Sequence, residues 1–273
     1  MTNKFAQSLL VPVDFTERSL HALNYASEIA KKHDGMVHLL HILDERTDPD
    51  QNTIETARKK LTDFAHQQQD RLDINIIPNV VKGNIFISIG ETAKKVGAQL
   101  IIMGIHGIHG IQFIIGSFAA RVILGSSVPV LLTNGSKKFD GFKNIVLPFD
   151  ANLKMDHLVS KTIELGLINN STIHLFSQNK KQGFLTSWEY KKKINTTLER
   201  IKKAELKCQN IVLEGDSDDY DLSILKYAEN IDADLIMVTS QNQHNSKEYI
   251  IMETGISLMD KSKTPLFFLN PEN

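Results

Sequence analysis

The chain contains a single cysteine, Cys208, so it cannot form an intrachain disulfide. A lone thiol indicates a reducing compartment, and the polar residues around Cys208 favour an ordinary side chain over a nucleophile. The first residues, Met1–Gln7, carry no apolar core of the kind found in signal peptides. We therefore expect a soluble protein of the cytoplasm.

Neither sign of charge is in excess, since 31 Lys and Arg stand against 32 Asp and Glu. Nucleic-acid-binding surfaces normally show as a basic excess, so we expect no nucleic-acid partner. The apolar runs are far shorter than the roughly 20 residues that a membrane-spanning helix needs, so we expect no membrane partner either. The hydrophobic share of 41% is enough for a sizeable buried core.

The chain repeats itself, which indicates two related domains. Three pairs of segments recur 136 residues apart and a fourth pair recurs 135 residues apart, all in the same order. The polar, glycine-flanked stretch Gly135–Gly141 lies between the copies, as a linker should. We predict one domain at 1–137 and a second at 138–273. The repeated pairs are Leu10–Asp14 with Val146–Asp150, His38–Leu40 with His174–Phe176, Ala98–Met103 with Ala233–Val238, and Pro129–Leu132 with Pro265–Phe268.

Each half alternates short apolar runs with helical patterns, which is typical of an α/β fold. Runs such as Leu9–Val13, Val37–Leu43 and Leu100–Met103 resemble parallel strands covered on both faces. An apolar stripe from Ala22 onwards predicts a helix that begins near Thr16 as N-cap. We predict two repeated, doubly wound, Rossmann-like sheets of five parallel strands each, with ligands at the carboxyl ends of the strands.

A glycine-rich stretch, Met103–Gly110, follows one predicted strand, and Gly116 and Ser117 lead into a helix predicted from Ser117 to Leu124. Glycines allow backbone N–H groups to approach an anion closely, and a helix start adds further donors. The same glycines can simply form turns. Spacing alone supports phosphate binding and plain turns equally.

Three segments together resemble the universal stress protein family, namely Pro12–Phe15, Leu39–Ile42, and Met103–Gly107 followed by Gly116 and Ser117. The resemblance covers both halves and implies the adenine nucleotide alpha hydrolase-like fold. It also implies a stress-response role and a pairing of the two domains as an internal pseudo-dimer through their last strands, Val128–Leu132 and Pro265–Leu269. It leaves open whether the chain also forms a homodimer.

The resemblance implies a binding site for ATP, ADP or AMP in the first domain, with Mg²⁺ held through the phosphates if ATP is bound. In nucleotide-binding members, the residue at Asp14 contacts ribose, the residue at Ile42 contacts adenine through its backbone, and the glycines with the hydroxyl residue hold phosphates. The interval from Gly107 to Gly116 is one residue shorter here than in the family pattern. The full implied set is Pro12, Val13, Asp14, Ile42, Gly104, His106, Gly107, Gly116, Ser117 and Phe118.

The second half departs from this pattern, because Thr239 and Asn242 replace Gly104 and Gly107. No glycine occurs from Thr239 to Ser246, so side chains occupy the space that a phosphate would need. We predict a second domain that does not bind a nucleotide.

Three functions follow from the sequence. The first is a nucleotide-binding regulator, with at most slow ATP hydrolysis because no general base is evident. The second is a scaffold that binds a partner or an apolar ligand and no nucleotide. The third, an enzyme of nucleotidyl transfer, has least support, because the Ser-Gly-Gly-x-Asp-Ser loop of adenylating ATP pyrophosphatases is absent from Pro12 to Arg18 and no general base is evident.

Overall fold

The structure is a computed structural model that describes residues 6–105, 115–150, 153–179, 187–214, 220–242, 249–251 and 253–270. The chain divides into two compact units, and the boundary in the sequence lies between Phe139 and Asp140. Each unit contains a twisted parallel sheet, as the sequence predicted.

The first unit has five parallel strands in the order β3-β2-β1-β4-β5. Right-handed crossovers place α1 and α2 on one face of this sheet and α3 and α4 on the other. Its elements are β1 (Ser8–Pro12), α1 (Glu17–Lys32), β2 (Met36–Asp44), α2 (Gln51–Leu72), β3 (Asn75–Gly83), α3 (Ile85–Lys95), β4 (Leu100–Gly104), α4 (Ile115–Gly125) and β5 (Val130–Thr133), with a 3₁₀ turn at Glu45–Thr47 after β2.

The second unit repeats this arrangement with five parallel strands in the order β8-β7-β6-β9-β11. A short sixth strand, β10, pairs antiparallel with β9 and was not predicted from the sequence. The elements are β6 (Asn144–Phe149), α5 (Asp156–Asn169), β7 (Thr172–Asn179), α6 (Ser187–Lys203), β8 (Lys207–Glu214), α7 (Tyr220–Asn230), β9 (Leu235–Asn242), β10 (Tyr249–Ile251), α8 (Glu253–Lys261) and β11 (Leu266–Leu269).

The core of the first unit lies where β1, β2 and β4 pack against α1. Ala22, Ala26 and Ile29 on α1 are fully buried, which confirms the predicted helical stripe. Each larger apolar side chain buried in this way contributes about 1.5–3 kcal/mol to folding. No helix in the described part of the chain is long and apolar enough to cross a bilayer.

Each unit buries a histidine at the same point of its second strand, His38 in β2 and His174 in β7, with 8% and 3% of the residue exposed. Burial lowers the pKa of both imidazoles. The ring nitrogens of His174 lie 2.8 Å from the Tyr227 hydroxyl and 3.3 Å from the Asn144 side-chain oxygen. Nδ1 of His38 meets no hydrogen-bond partner among the described residues.

We expect acidification to destabilise the protein through these histidines. Below about pH 6.5 the unfolded chain protonates them while the folded chain keeps them neutral, so stability falls with pH until the lowered native pKa is reached. His38→Leu should reduce the difference in unfolding free energy between about pH 7.5 and about pH 5.5, measured by chemical denaturation. His66→Leu, at an exposed position of α2, is the control. An unchanged pH dependence in His38→Leu would contradict this account.

Candidate functional site

The chain runs outward from β1 to β2 and β3, and then returns to place β4 on the other side of β1. The strand order therefore reverses between β1 and β4, and ligands of such sheets lie beyond the strand ends at this point. Asp14 follows β1 directly, Ile42 lies near the end of β2, and Gly104 is the last residue of β4. The fold thus brings three of the predicted site residues to one edge of the sheet.

The carboxylate of Asp14 is held by the residues that follow it. Its Oδ1 accepts hydrogen bonds from the Thr16 backbone N–H at 3.0 Å and from the Thr16 hydroxyl, and its Oδ2 lies 4.0 Å from Arg18. Thr16 occupies the predicted N-cap position of α1. Its hydroxyl donates to Asp14 and makes no capping hydrogen bond to the helix. Partial burial acts to raise the pKa of Asp14, but the bonds from Thr16 and Ser19 and the charge of Arg18 hold that pKa below its usual value. Asp14 is therefore an ionised acceptor at neutral pH, with 60% of its side chain exposed.

The edge of β2 that faces β1 is open beyond Leu40. β1 ends at Pro12, which pairs with Leu40, and the Val13 N–H donates to the Leu40 carbonyl at 2.8 Å. β2 continues to Asp44, and among the described residues no strand pairs with that part of its edge. Alternate residues of a strand direct their backbone N–H and C=O to the same edge. Ile42 therefore presents both groups to the edge that β1 leaves open.

Gly104 has a packing role that the sequence did not reveal. A Cβ at this position would lie 2.1 Å from the carbonyl oxygen of Arg18 and 2.7 Å from its carbonyl carbon. Only glycine therefore allows the first turn of α1 to approach the end of β4 this closely. This contact supports a structural reason for Gly104 in addition to any role with a phosphate.

α4 begins at Ile115, so the prediction that Ser117 opens this helix was wrong by two residues. A helix boundary without a capping side chain is hard to place from sequence. Gly116 and Ser117 instead lie in the first turn, where backbone N–H groups have no partner within the helix and attract anions. The ring of Phe118 packs against Phe86 of α3 at 5.4 Å between centroids.

Two predicted site residues, His106 and Gly107, lie outside the described residues. Pro12 and Val13 lie at the end of β1, immediately before Asp14. The structure thus brings together Pro12, Val13, Asp14, Ile42 and Gly104 at the strand ends.

A cavity of about 470 Å³ opens beside Asp14, between the end of β1 and α2. Its lining includes Phe15 and His41, which the sequence did not single out, and the polar side chains of Thr56 and Lys60. Phe15 and His41 are neighbours in sequence of the predicted residues Asp14 and Ile42. That adjacency is the one signal that could have found them.

The second unit has different chemistry at the same place. Thr239, the counterpart of Gly104, is half-buried, and its hydroxyl donates to the Leu269 carbonyl at 3.2 Å. α5 begins at Asp156, nearly one turn later than the repeat spacing from α1 would place it.

A tyrosine from α7 contacts the middle of the second strand of this unit. The Tyr220 hydroxyl donates to the carbonyl of Phe176, the counterpart of Leu40, at 3.0 Å. Burial raises the pKa of Tyr220, so the phenol stays neutral. A protein group therefore occupies the carbonyl of Phe176 in this unit.

No cluster of three or more His, Cys, Asp or Glu side chains in the described ranges is placed to hold a metal ion.

Comparison with known proteins gives matches to both units. A family model described as the universal stress protein family matches residues 6–134 and again residues 141–269. Universal stress protein A homolog 2 of Coxiella burnetii is 31% identical over 119 residues, which cover 39% of this chain and 79% of that protein. Universal stress protein MJ0531 of Methanocaldococcus jannaschii is 27% identical over 143 residues, covering 48% and 84%. A solved universal stress protein from Archaeoglobus fulgidus shares the fold over 98% of this chain and 99% of its own, with a TM-score of 0.76 and 18% identity.

Proposed function

Because the chain belongs to the universal stress protein family, we propose that its first unit binds an adenine nucleotide and that the protein acts as a stress-response regulator. The nucleotide is ATP, ADP or AMP, bound beyond the ends of β1, β2 and β4. Occupancy of the site would shift the protein between states that partners distinguish.

The open edge of β2 at Ile42 is the observation that carries this proposal. A backbone N–H and C=O that face an unpaired edge at a switch point offer one donor and one acceptor side by side. The edge of an adenine ring presents the complementary acceptor and amino donor. Ile42 is half-buried, which gives the base an apolar neighbour as well.

The ribose and phosphate contacts follow from the same cleft. Asp14 is ionised and exposed, so it can accept hydrogen bonds from ribose hydroxyls. The first turn of α4 supplies backbone N–H donors at Gly116 and Ser117. We propose that Gly104, His106 and Gly107 complete the phosphate side through their backbone, that Phe118 lies beside this site, and that Mg²⁺ enters with ATP.

We propose that the second unit binds no nucleotide, because Thr239 and Asn242 replace the glycines. Turnover of ATP is at most slow, since no general base is evident in the sequence. The cytoplasmic location, the internal pairing of the two units through their last strands, and any homodimer remain predictions from the sequence.

Replacing Ile42 by proline tests the adenine contact. Proline removes the N–H of Ile42, which by strand alternation from Leu40 points to the open edge and away from β3, so the sheet can persist. We expect the dissociation constant for ATP to rise about tenfold, the typical effect of losing one buried hydrogen bond. Competition against a fluorescent ATP analogue measures it.

Ile42→Val is the matched control, because it changes the side chain and keeps the N–H. It should bind ATP within about twofold of the wild type. If Ile42→Pro folds and binds as tightly as Ile42→Val, adenine recognition at this edge is wrong.

A further inference from the structure

Both sequence neighbours of Asp14 contact His41 of β2. The Val13 N–H donates to the Leu40 carbonyl at 2.8 Å, and Nδ1 of His41 donates to the Val13 carbonyl at 2.9 Å. A carbonyl only accepts, so the proton of this bond lies on Nδ1. The ring of His41 also packs against the ring of Phe15, with centroids 5.0 Å apart. His41 therefore contacts the residue before Asp14 and the residue after it.

Phe15 adopts a backbone conformation that its side chain does not favour. Its φ is 63°, in the left-handed region that aromatic residues rarely occupy. The ring is fixed on α2 by an edge contact with Phe64 at 5.4 Å and by the Lys60 ammonium, 4.1 Å from the ring centroid. Such a conformation persists only where surrounding contacts impose it. These contacts hold the chain reversal that presents Asp14.

The second unit has neither residue. The counterpart of His41 is Ser177, which is fully buried, and its hydroxyl lies 3.5 Å from the carbonyl oxygen of Ile211 on β8. The counterpart of Phe15 is Ala151, which has no ring and lies outside the described residues. The arrangement of His41 and Phe15 occurs only in the unit that carries the glycine-rich loop.

We propose that His41 and Phe15 are positioning residues for the Asp14 carboxylate and thereby set how strongly the site selects ribose hydroxyls. This inference rests on the proposed function. The His41 bond fixes Val13, the ring contact fixes Phe15, and the two Thr16 bonds fall on Oδ1 of Asp14. Oδ2 carries no bond from Thr16 and lies 4.0 Å from Arg18, and we assign the ribose hydroxyl to this oxygen.

Calorimetric titration of the full chain with ADP and with 2′,3′-dideoxy-ADP measures this selection. In the wild type we expect ADP to bind about tenfold more tightly, the effect of one hydrogen bond to a charged group. His41→Leu should reduce that preference to about twofold by weakening ADP alone, because its side chain cannot donate to Val13. His41→Asn keeps a donor and should recover part of the preference for ADP. Phe15→Leu, with His41 unchanged, should also reduce that preference. His66→Leu on the exposed face of α2 should change neither dissociation constant.

A double-mutant cycle shows whether His41 acts through Asp14. In an Asp14→Ala background, His41→Leu should have no further effect on ADP binding. If His41→Leu and Phe15→Leu keep the wild-type preference, or weaken both ligands equally while retaining the wild-type circular dichroism, the positioning role is overturned and the proposed function stands. A wild type that binds neither ligand overturns both.

Discussion

Replacing Gly104 by alanine is expected to lower the free energy of unfolding of the first unit by about 3 kcal/mol, the upper end of the usual range for overpacking. The new Cβ would lie 2.1 Å from the Arg18 carbonyl oxygen. The backbone of β4 fixes the position of the Cβ, and the backbone of α1 fixes the carbonyl oxygen. No side-chain rotation therefore relieves the clash. The clash is relieved only if α1 moves away from the sheet. That movement would expose Ala22 and Ala26, which α1 buries against the sheet.

Thr239→Ala, at the counterpart position of the second unit, is the matched control. It removes a hydroxyl bonded to Leu269 and creates no clash, so we expect a loss of only about 1 kcal/mol. The two units need not unfold together, so hydrogen exchange of peptides from β1 and β4, against peptides from β6 and β9, localises each effect. Wild-type protection of β4 in Gly104→Ala would contradict the packing role.

Replacing Gly107 by valine is expected to weaken ATP binding about 100-fold, the loss of roughly two charge-assisted hydrogen bonds. If Gly107 lines the phosphate site as proposed, a β-branched side chain takes the space of the phosphate and restricts the backbone N–H donors. Ligand-induced stabilisation reports this directly. At an ATP concentration of 100 times the wild-type dissociation constant, the wild type gains about 2.7 kcal/mol and the variant about 0.4 kcal/mol.

Asn242→Val introduces the same residue at the corresponding position of the second unit. This variant should retain the full stabilisation by ATP. If Gly107→Val also retains it, the glycine-rich loop does not hold the phosphates. If Asn242→Val loses it, the assignment of the nucleotide to the first unit is wrong.

The two-unit α/β fold could be predicted from the sequence because its signals are local and occur twice. Short apolar runs such as Leu9–Val13 correspond to buried strands, and the stripe from Ala22 corresponds to α1. The start of α4 at Ile115 and the added strand β10 were missed. Neither is marked by a capping residue or a hairpin dipeptide.

The site was only partly predictable, for a physical reason. Glycine at position 104 was visible in the sequence, but which carbonyl approaches it depends on how α1 packs on β4. The contacts of His41 with Val13 and Phe15 likewise depend on strand register, which places residues distant in sequence side by side. The family resemblance therefore indicated Asp14 and Ile42 and left the residues that hold Asp14 unseen.

Calorimetric titration of the wild-type chain with ATP and Mg²⁺ tests the central claim most directly. The account predicts saturable binding with a stoichiometry of about one nucleotide per chain, since one glycine-rich loop is present. Absence of binding, or two equivalent sites per chain, would contradict it.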